Sequence, residues 1–318
     1  MYVEHVIRVP TGEIYIVKGS RGPLEFVSLG DYGQHVNLNQ HSPVPDGMPL
    51  LPLTEKWVVT ISTQYGCSMG CKFCDVPKVG PGVNVSLPNL NGQISTALAM
   101  PGKPSFSRRL NVHFARMGEP TFNFAVLDCA KWLSTLRQFN PHPVVSTMMP
   151  KFNTFLPCFI REWMDIKNEI YEGNAGLQLS INSTDEAERA EMFNNQALSI
   201  RQIARMMSWI KPRGRKITLN FMVADYTVDC NMLADLFTPD RYIVKLTPAH
   251  NTQAAMAAGI QTKGDPTWPE PYLDLEERFQ RAGFETLVFI ASREEDEGMI
   301  TCGNAILSKK PDWSYRVQ

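Results

Sequence analysis

Val58-Val59-Thr60-Ile61-Ser62-Thr63-Gln64-Tyr65-Gly66-Cys67-Ser68-Met69-Gly70-Cys71-Lys72-Phe73-Cys74 runs a β-branched stretch into a glycine-containing loop with three cysteines. Val58–Ser62 reads as a strand, which puts the loop at a strand's carboxyl end. Three thiolates spaced C-x3-C-x2-C on one tight loop can wrap three irons of a [4Fe–4S] cube and leave the fourth iron open. Zinc asks for four closed ligands, usually as two paired C-x2-C units, and the sequence has no second pair. Cys67, Cys71 and Cys74 are therefore the metal ligands to expect.

Downstream of this loop, short β-branched runs alternate with longer helical patterns. The further strand candidates are Leu110–Ala115, Val144–Met148, Leu177–Ile181, Ile217–Val223, Tyr242–Thr247 and Glu285–Ala291. Between them lie amphipathic stretches such as Phe124–Phe139 and Ser199–Ile210, with apolar residues at helical spacing. Six or seven βα repeats with near-continuous apolar strands predict a parallel sheet covered by helices. Right-handed crossovers wind such a sheet into a barrel or a doubly wound sheet, and either gathers ligands at the carboxyl ends of its strands. Upstream, Glu13–Val17 and Leu24–Leu29 read as strands joined by the turn Lys18–Gly22. The proline-rich stretch Pro43–Pro52 marks a boundary. The division expected is a β-rich accessory region over 1–52 and a barrel with a C-terminal extension over 53–318.

The chain has 318 residues, a net charge of -1 and seven cysteines. That length suits about two domains or one α/β barrel. A hydrophobic share of 43% and a charged share of 20% belong to a globular chain with a large core, and exclude disordered and collagen-like classes. No apolar run is long enough to span a membrane. Glu4, His5 and Arg8 interrupt the start as no signal peptide would, so the cytoplasm is the expected compartment. Near-zero charge supplies no electrostatic footprint for nucleic acid, although a local patch could still hold RNA.

The cysteine loop, with Phe73 before its last thiol, resembles that of the radical S-adenosylmethionine (SAM) superfamily. The resemblance implies a partial (β/α)6 barrel, a [4Fe–4S] cluster whose open iron chelates SAM, and an electron donor such as flavodoxin or ferredoxin. At the second strand's end, Gly118-Glu119-Pro120 looks like the stretch that binds the SAM amine, since a carboxylate accepts charge-assisted hydrogen bonds from an ammonium group.

More of the chain, over roughly 55–306, is similar to the 23S ribosomal RNA adenine C2-methyltransferases and their C8-methylating relatives. Arg116-Met117-Gly118-Glu119-Pro120 matches their G-M-G-E-P, with arginine for the first glycine. Val145-Ser146-Thr147-Met148 resembles their S-T-S-G, and Ser180-Ile181-Asn182 their S-L-H. Thr247-Pro248-Ala249-His250, with Asn251 beside it, resembles I-P-W-N. Thr301-Cys302-Gly303-Asn304 resembles A-C-G-Q. By this resemblance Phe73, Gly118, Glu119, Ser146, Thr147, Ser180, Asn182, His250 and Asn251 bind the cofactor, and Cys302 is catalytic. In the family, the cysteine matching Cys302 takes a methyl group from one SAM, and a radical from a second SAM turns it into a methylene donor to adenine. The family's resolving cysteine corresponds to Thr60, whose hydroxyl cannot act as a thiolate at neutral pH. The family's N-terminal RNA-binding domain is not evident in residues 1–52, which read as short strands.

The function expected is a radical SAM enzyme carrying out C-methylation or methylene transfer through Cys302, onto a nucleobase, free or within RNA, or another small molecule. The alternatives are a non-methylating radical enzyme with Cys302 returning a hydrogen atom, and a non-catalytic iron–sulfur protein. Cys129 and Cys158 read as core residues, and Cys230 as a helix-start cysteine. The basic run Lys211–Lys216 reads as a solvated turn.

Overall fold

The structure is a computed structural model and describes residues 1–32, 49–290, 300 and 305–308. Its strands begin with β1 (Tyr2–Val9), β2 (Gly12–Gly19) and β3 (Gly22–Leu29), an antiparallel meander. There follow β4 (Trp57–Ile61), β5 (Gln64–Gly66), β6 (Pro81–Asn84), β7 (Leu110–Phe114), β8 (Pro141–Thr147), β9 (Gly176–Ser180), β10 (Ile217–Val223), β11 (Tyr242–Pro248) and β12 (Thr286–Val288). The helices are α1 (Leu87–Ala99), α2 (Ala125–Leu133), α3 (Leu156–Asp165), α4 (Glu186–Met192), α5 (Ile200–Met207), α6 (Cys230–Leu236), α7 (Gln253–Ala257), α8 (Glu270–Arg281) and α9 (Ala305–Ser308).

Strands β4, β7, β8, β9, β10, β11 and β12 pair in parallel and in sequence order. A doubly wound sheet would reverse its strand order at a switch point. This one never does, so six βα units and a terminal strand curl one way into an open barrel. The seven strands expected after the boundary are all present with ends within three residues of the expected ones, and β12 is shorter. The first strand, β1, was not legible because Glu4, His5 and Arg8 break up its apolar pattern.

The meander does not stand apart. β3 pairs antiparallel with β4 through Val27–Thr60, Ser28–Val59 and Leu29–Val58, and the indole N–H of Trp57 donates to Ser28 Oγ at 2.9 Å. Residues 2–29 thus continue the barrel sheet beyond its first strand.

Burial differs from the expected continuously apolar strands. In β4, Trp57, Val59 and Ile61 are buried while Val58 and Thr60 are half-buried; β7 alternates likewise, with Asn111 and His113 half-buried. Helices cover only the outer face, where Phe114 meets Trp163 edge-on at 6.2 Å. The inner face carries Thr60, His113, Ser146, Ser180, Asn220 and Thr247, because a barrel's interior is not walled by helices. Burial with cationic neighbours, Lys245 and Arg215 foremost, pushes the His113 imidazole down to about 3, so this ring is neutral.

Local chemistry sets the helix starts. Ser199 and Gln202 form a capping box on α5, Asp185 caps α4, and Asp229 caps α6. Cys129 is buried and Cys230 opens α6, as expected. Cys158 is a correction: it is exposed, because α3 turns Leu156, Phe159, Ile160 and Trp163 to the core and leaves Cys158 off that stripe.

Candidate functional site

The cysteine loop is an excursion from the end of the first barrel strand. β5 and β6 pair antiparallel at its base, and Cys67 N–H donates to Gly80 O at 3.2 Å. Gly66 has φ +77°, and a Cβ there would fall 2.2 Å from Gly80 O, so only glycine lets the two sides close. Two distant elements hold the far side of the loop. Lys72 N–H donates to Met192 O at 2.9 Å at the end of α4, and the Phe73 ring meets Phe193 edge-on at 5.8 Å. Asp75, directly after the last cysteine, accepts from Gln253 N–H at 2.9 Å and Ala254 N–H at 3.0 Å, capping α7 from another part of the chain. Thr252 Oγ1 completes the tie by donating to Phe73 O at 2.7 Å. Replacing Asp75 with alanine should cost about 1–2 kcal/mol as a lost charged cap and loosen the loop. Thermal unfolding reads the first effect, and iron retention under a chelator reads the second.

Cys67, Cys71 and Cys74 are free and half-buried. Burial, and then the neighbouring thiols, push Cys67 up to about 12 and Cys71 well above the usual thiol range; burial pushes Cys74 up to about 11. Without a metal these groups are neutral, and a bound cation is what would hold them as thiolates. Among the described residues, no three His, Cys, Asp or Glu side chains converge enough to grip a single ion. A cube asks for something different, because its three ligand sulfurs sit on three separate irons. Cys67 and Cys71 pack against Met69, Met148, Met192, Phe193, Met222 and Ile260, a polarizable apolar wall at the carboxyl ends of the strands.

Glu119 lies at the tip of β7 and is 4% exposed. One carboxylate oxygen accepts from Thr121 N–H at 3.1 Å and Thr121 Oγ1 at 2.7 Å; the other accepts from Met148 N–H at 3.1 Å. Burial raises its pKa, and the bonds from Thr121, Thr147 and Met148 oppose that rise. Gln64 joins this carboxylate's backbone to the cysteine loop. Its Oε1 accepts from Glu119 N–H at 3.0 Å and Ser68 N–H at 3.4 Å, and its Nε2 donates to Asn84 Oδ1 at 2.9 Å. Gly118 has φ +96°, and a Cβ would lie 2.5 Å from Gln64 Cβ. Gly118→Ala should therefore lose about 1–3 kcal/mol to backbone strain alone and displace Glu119. Chemical denaturation would measure the first loss, and SAM titration the second.

The remaining expected residues line the same end of the barrel. Ser146 faces the interior near the tip of β8 and Thr147 is buried, its Oγ1 accepting from Met149 N–H at 2.9 Å. Ser180 is half-buried at the tip of β9. Asn182 is buried with φ 63°, its Oδ1 accepting from Met222 N–H at 2.9 Å, so its side chain ties β9 to β10. His250 is buried and Asn251 exposed after β11, in the turn that leads into α7. Thr60 faces the interior of β4, half-buried and paired with His113. Cys302 lies outside the described residues, as do residues 43–48 of the proline-rich boundary.

Three residues of the site were not foreseen. Gln64 and Asp75 act through backbone groups far away in sequence, and only their places within and beside the cysteine loop hinted at them. Arg189, 1% exposed, donates to Ser180 O at 3.0 Å, to Ile181 O, and to Leu198 O at 3.2 Å, holding the tip of β9. No motif in the sequence singles Arg189 out.

Fold and site define a class: an open βα barrel whose first crossover carries a three-thiol loop and whose second strand ends in a buried glutamate. No family profile matches the chain. It is nevertheless similar, at low identity, to RNA methyltransferases. It is 26% identical over 194 residues to a probable RNA methyltransferase of Sorangium cellulosum, covering 59% of this chain and 45% of that protein. It is 25% identical over 256 residues to the dual-specificity RNA methyltransferase RlmN of the same organism, covering 78% and 61%. RlmN of Marinobacter nauticus is 36% identical over 77 residues, 24% of this chain and 21% of that one. The chain spans about half the length of the curated relatives it matches. Among solved structures, Streptococcus suis SuiB bound to S-adenosylmethionine aligns with a TM-score of 0.48 at 12% identity, over 77% of this chain and 49% of that one. The chain thus resembles the RlmN-type radical SAM enzymes in sequence as well as in motif. A [4Fe–4S] cluster and SAM are the cofactors that go with this relationship. Three coupled thiols and a buried carboxylate fit them.

Proposed function

We propose that this protein is a radical SAM enzyme that transfers a methyl or methylene group through Cys302 to an sp2 carbon of a nucleobase-like or small-molecule substrate. The observation that carries this reading is the convergence of the cysteine loop and Glu119 on one methionine-lined mouth, joined through Gln64. When bound, a [4Fe–4S] cluster would supply the electron for reductive cleavage of SAM. Cys67, Cys71 and Cys74 would hold that cluster. Glu119 would accept hydrogen bonds from the SAM ammonium, with Thr121 and Met148 N–H fixing its carboxylate in one orientation. The apolar wall around the thiols would exclude water from a reactive carbon radical. A small reductase of flavodoxin or ferredoxin type would supply the electron, residues 53–318 would form the catalytic unit, and residues 1–52 its accessory region.

A second reading has Cys302 return a hydrogen atom to a substrate radical. Thr60, half-buried in the barrel interior where the resembled family has its resolving thiol, favours it. One experiment separates them: anaerobic reconstitution with iron, sulfide, reductant and SAM, followed by product analysis. S-adenosylhomocysteine together with 5′-deoxyadenosine supports methyl transfer. 5′-Deoxyadenosine alone supports the hydrogen donor. No SAM cleavage by a loaded cluster would sink both.

A further inference from the structure

Several cations near the amino ends of the barrel strands have carboxylate partners. Lys56 pairs with Asp31 at 2.7 Å, Arg108 with Glu55 at 3.3 Å, Arg213 with Glu169 at 3.7 Å and Lys216 with Glu285 at 3.4 Å. Arg109 and Arg215 stand beside them in the sequence, yet neither has a carboxylate within ion-pair distance among the described residues.

Both turn toward the barrel interior instead. Arg109 precedes β7, and its Nε donates to Asn111 Oδ1 at 3.0 Å; Asn111 in turn pairs in register with His142 on β8. That bond fixes the guanidinium by one edge and leaves both Nη groups without a partner among the described residues. Arg215 lies against the start of β9. A Cβ on Gly176 would fall 3.0 Å from Arg215 Nη1 and 3.2 Å from its Cζ, so glycine leaves room for the fork. Gly176 pairs with Val144, and Val144 with His113, which places this guanidinium at the level of His113. The Arg215 side chain makes no hydrogen bond among the described residues and stays open to solvent.

The groups facing this pair do not offset its charge. His113 is neutral, with Lys245, Arg215, Lys56 and Arg109 as its charged neighbours. Burial, and then Arg109 and Arg215, hold His142 down at about 4. Partial burial, and then Arg109, lower the Arg215 pKa. Two guanidinium groups held near each other repel, and an oxyanion between them would turn that repulsion into attraction. Phosphate suits the place, because its oxygens match the planar fork of arginine and a neutral imidazole can donate one further N–H.

We propose that Arg109 and Arg215 form a phosphate-binding site inside the amino end of the barrel, opposite the mouth that carries the cysteine loop. The phosphate is either a free ion or the end of a substrate lying along the barrel interior. Gly176 is four residues from Ser180 at the tip of β9, about 13 Å along the strand, a span suited to a small phosphorylated molecule. The substrate source rests on the nucleobase-like or small-molecule reading; the site itself does not.

The test is calorimetric titration of the reconstituted full-length protein in chloride buffer, with inorganic phosphate, adenosine 5′-monophosphate and adenosine as probes. Phosphate should bind, and at about 100 times its Kd it should raise the unfolding temperature by about 3–6 °C. Arg215→Gln should weaken phosphate binding about 10–100-fold, and Arg215→Lys, which keeps the charge without the fork, should weaken it less. Without phosphate, Arg215→Gln should unfold at the same temperature as the unaltered protein or higher, since a repulsion is removed and no bond is lost. Monophosphate binding tighter than phosphate, with its advantage over adenosine lost in Arg215→Gln, assigns the site to a substrate. Equal affinity for phosphate and monophosphate assigns it to the free ion. No phosphate binding by the unaltered protein overturns the site, and so does binding that Arg215→Gln and Arg109→Gln leave unchanged. A lower unfolding temperature for phosphate-free Arg215→Gln also overturns it, since that marks a structural arginine. Failure to cleave SAM in the same preparation would remove the radical reading and leave the phosphate result standing.

Discussion

Cys71→Ser should leave a folded protein that cannot cleave SAM. The loop is held by Asp75, Thr252 and Phe73 rather than by the cysteines themselves, so removing one thiol breaks no structural tie. Serine's hydroxyl has a far higher pKa than a thiol and is a poor ligand for iron. With two thiolates left, iron and acid-labile sulfide per chain should fall to trace levels after anaerobic reconstitution. 5′-Deoxyadenosine formation should drop by about three orders of magnitude or more, an assembled cluster being a condition of the reaction rather than a contributor to it. Iron analysis and the charge-transfer absorbance of the cluster read the first effect, and chromatography of the nucleoside product the second. A Cys71→Ser protein with full iron and full cleavage would remove the cluster from the site.

The second large effect concerns Glu119. Glu119→Gln keeps the shape and most of the hydrogen bonds but removes the charge that meets an ammonium group. The affinity for SAM should fall about 10–100-fold, in line with the worth of a buried hydrogen bond to a charged group. The unaltered protein should show the same chemistry in its pH profile. Burial favours the neutral carboxyl, so the free site has a raised pKa, and Cys67 and Cys71 face it from the cysteine loop. Only the carboxylate binds the ammonium. SAM affinity should therefore climb with pH up to that raised pKa and level off above it. The Glu119→Gln protein should lose this rise. Calorimetric titration of the cluster-loaded protein across the acid range checks both statements, and an identical pH profile in the variant would show that Glu119 does not meet the amine.

Much of this is legible in the sequence. Ile217–Val223 is strand β10 to the residue, because a run of apolar and β-branched side chains between a basic turn and a cap has one good solution. The start of α5 was readable for a similar reason, as Ser199 and Gln202 satisfy each other's backbone locally. Cys158 was not. Its neighbours Pro157 and Phe159 suggested a core position, yet a helix has two faces, and only the packed barrel decides which one is inside.

The sequence alone determined the strand count and the order of βα units, and it singles out Cys67, Cys71 and Cys74 as the candidate ligand set. Those are written in local spacing: three thiols on one loop, β-branched runs between amphipathic ones. Tertiary structure decided how the parts are tied. Asp75 caps a helix 178 positions downstream, Gln64 holds the backbone of Glu119 55 positions away, and Glu25 meets Arg116 across two strands. Such contacts leave no periodicity in the chain, because each depends on which strand tips the open barrel sets side by side. That is why a glutamate in an antiparallel strand and an arginine in place of glycine carry no sequence sign of each other, yet fold into one buried pair.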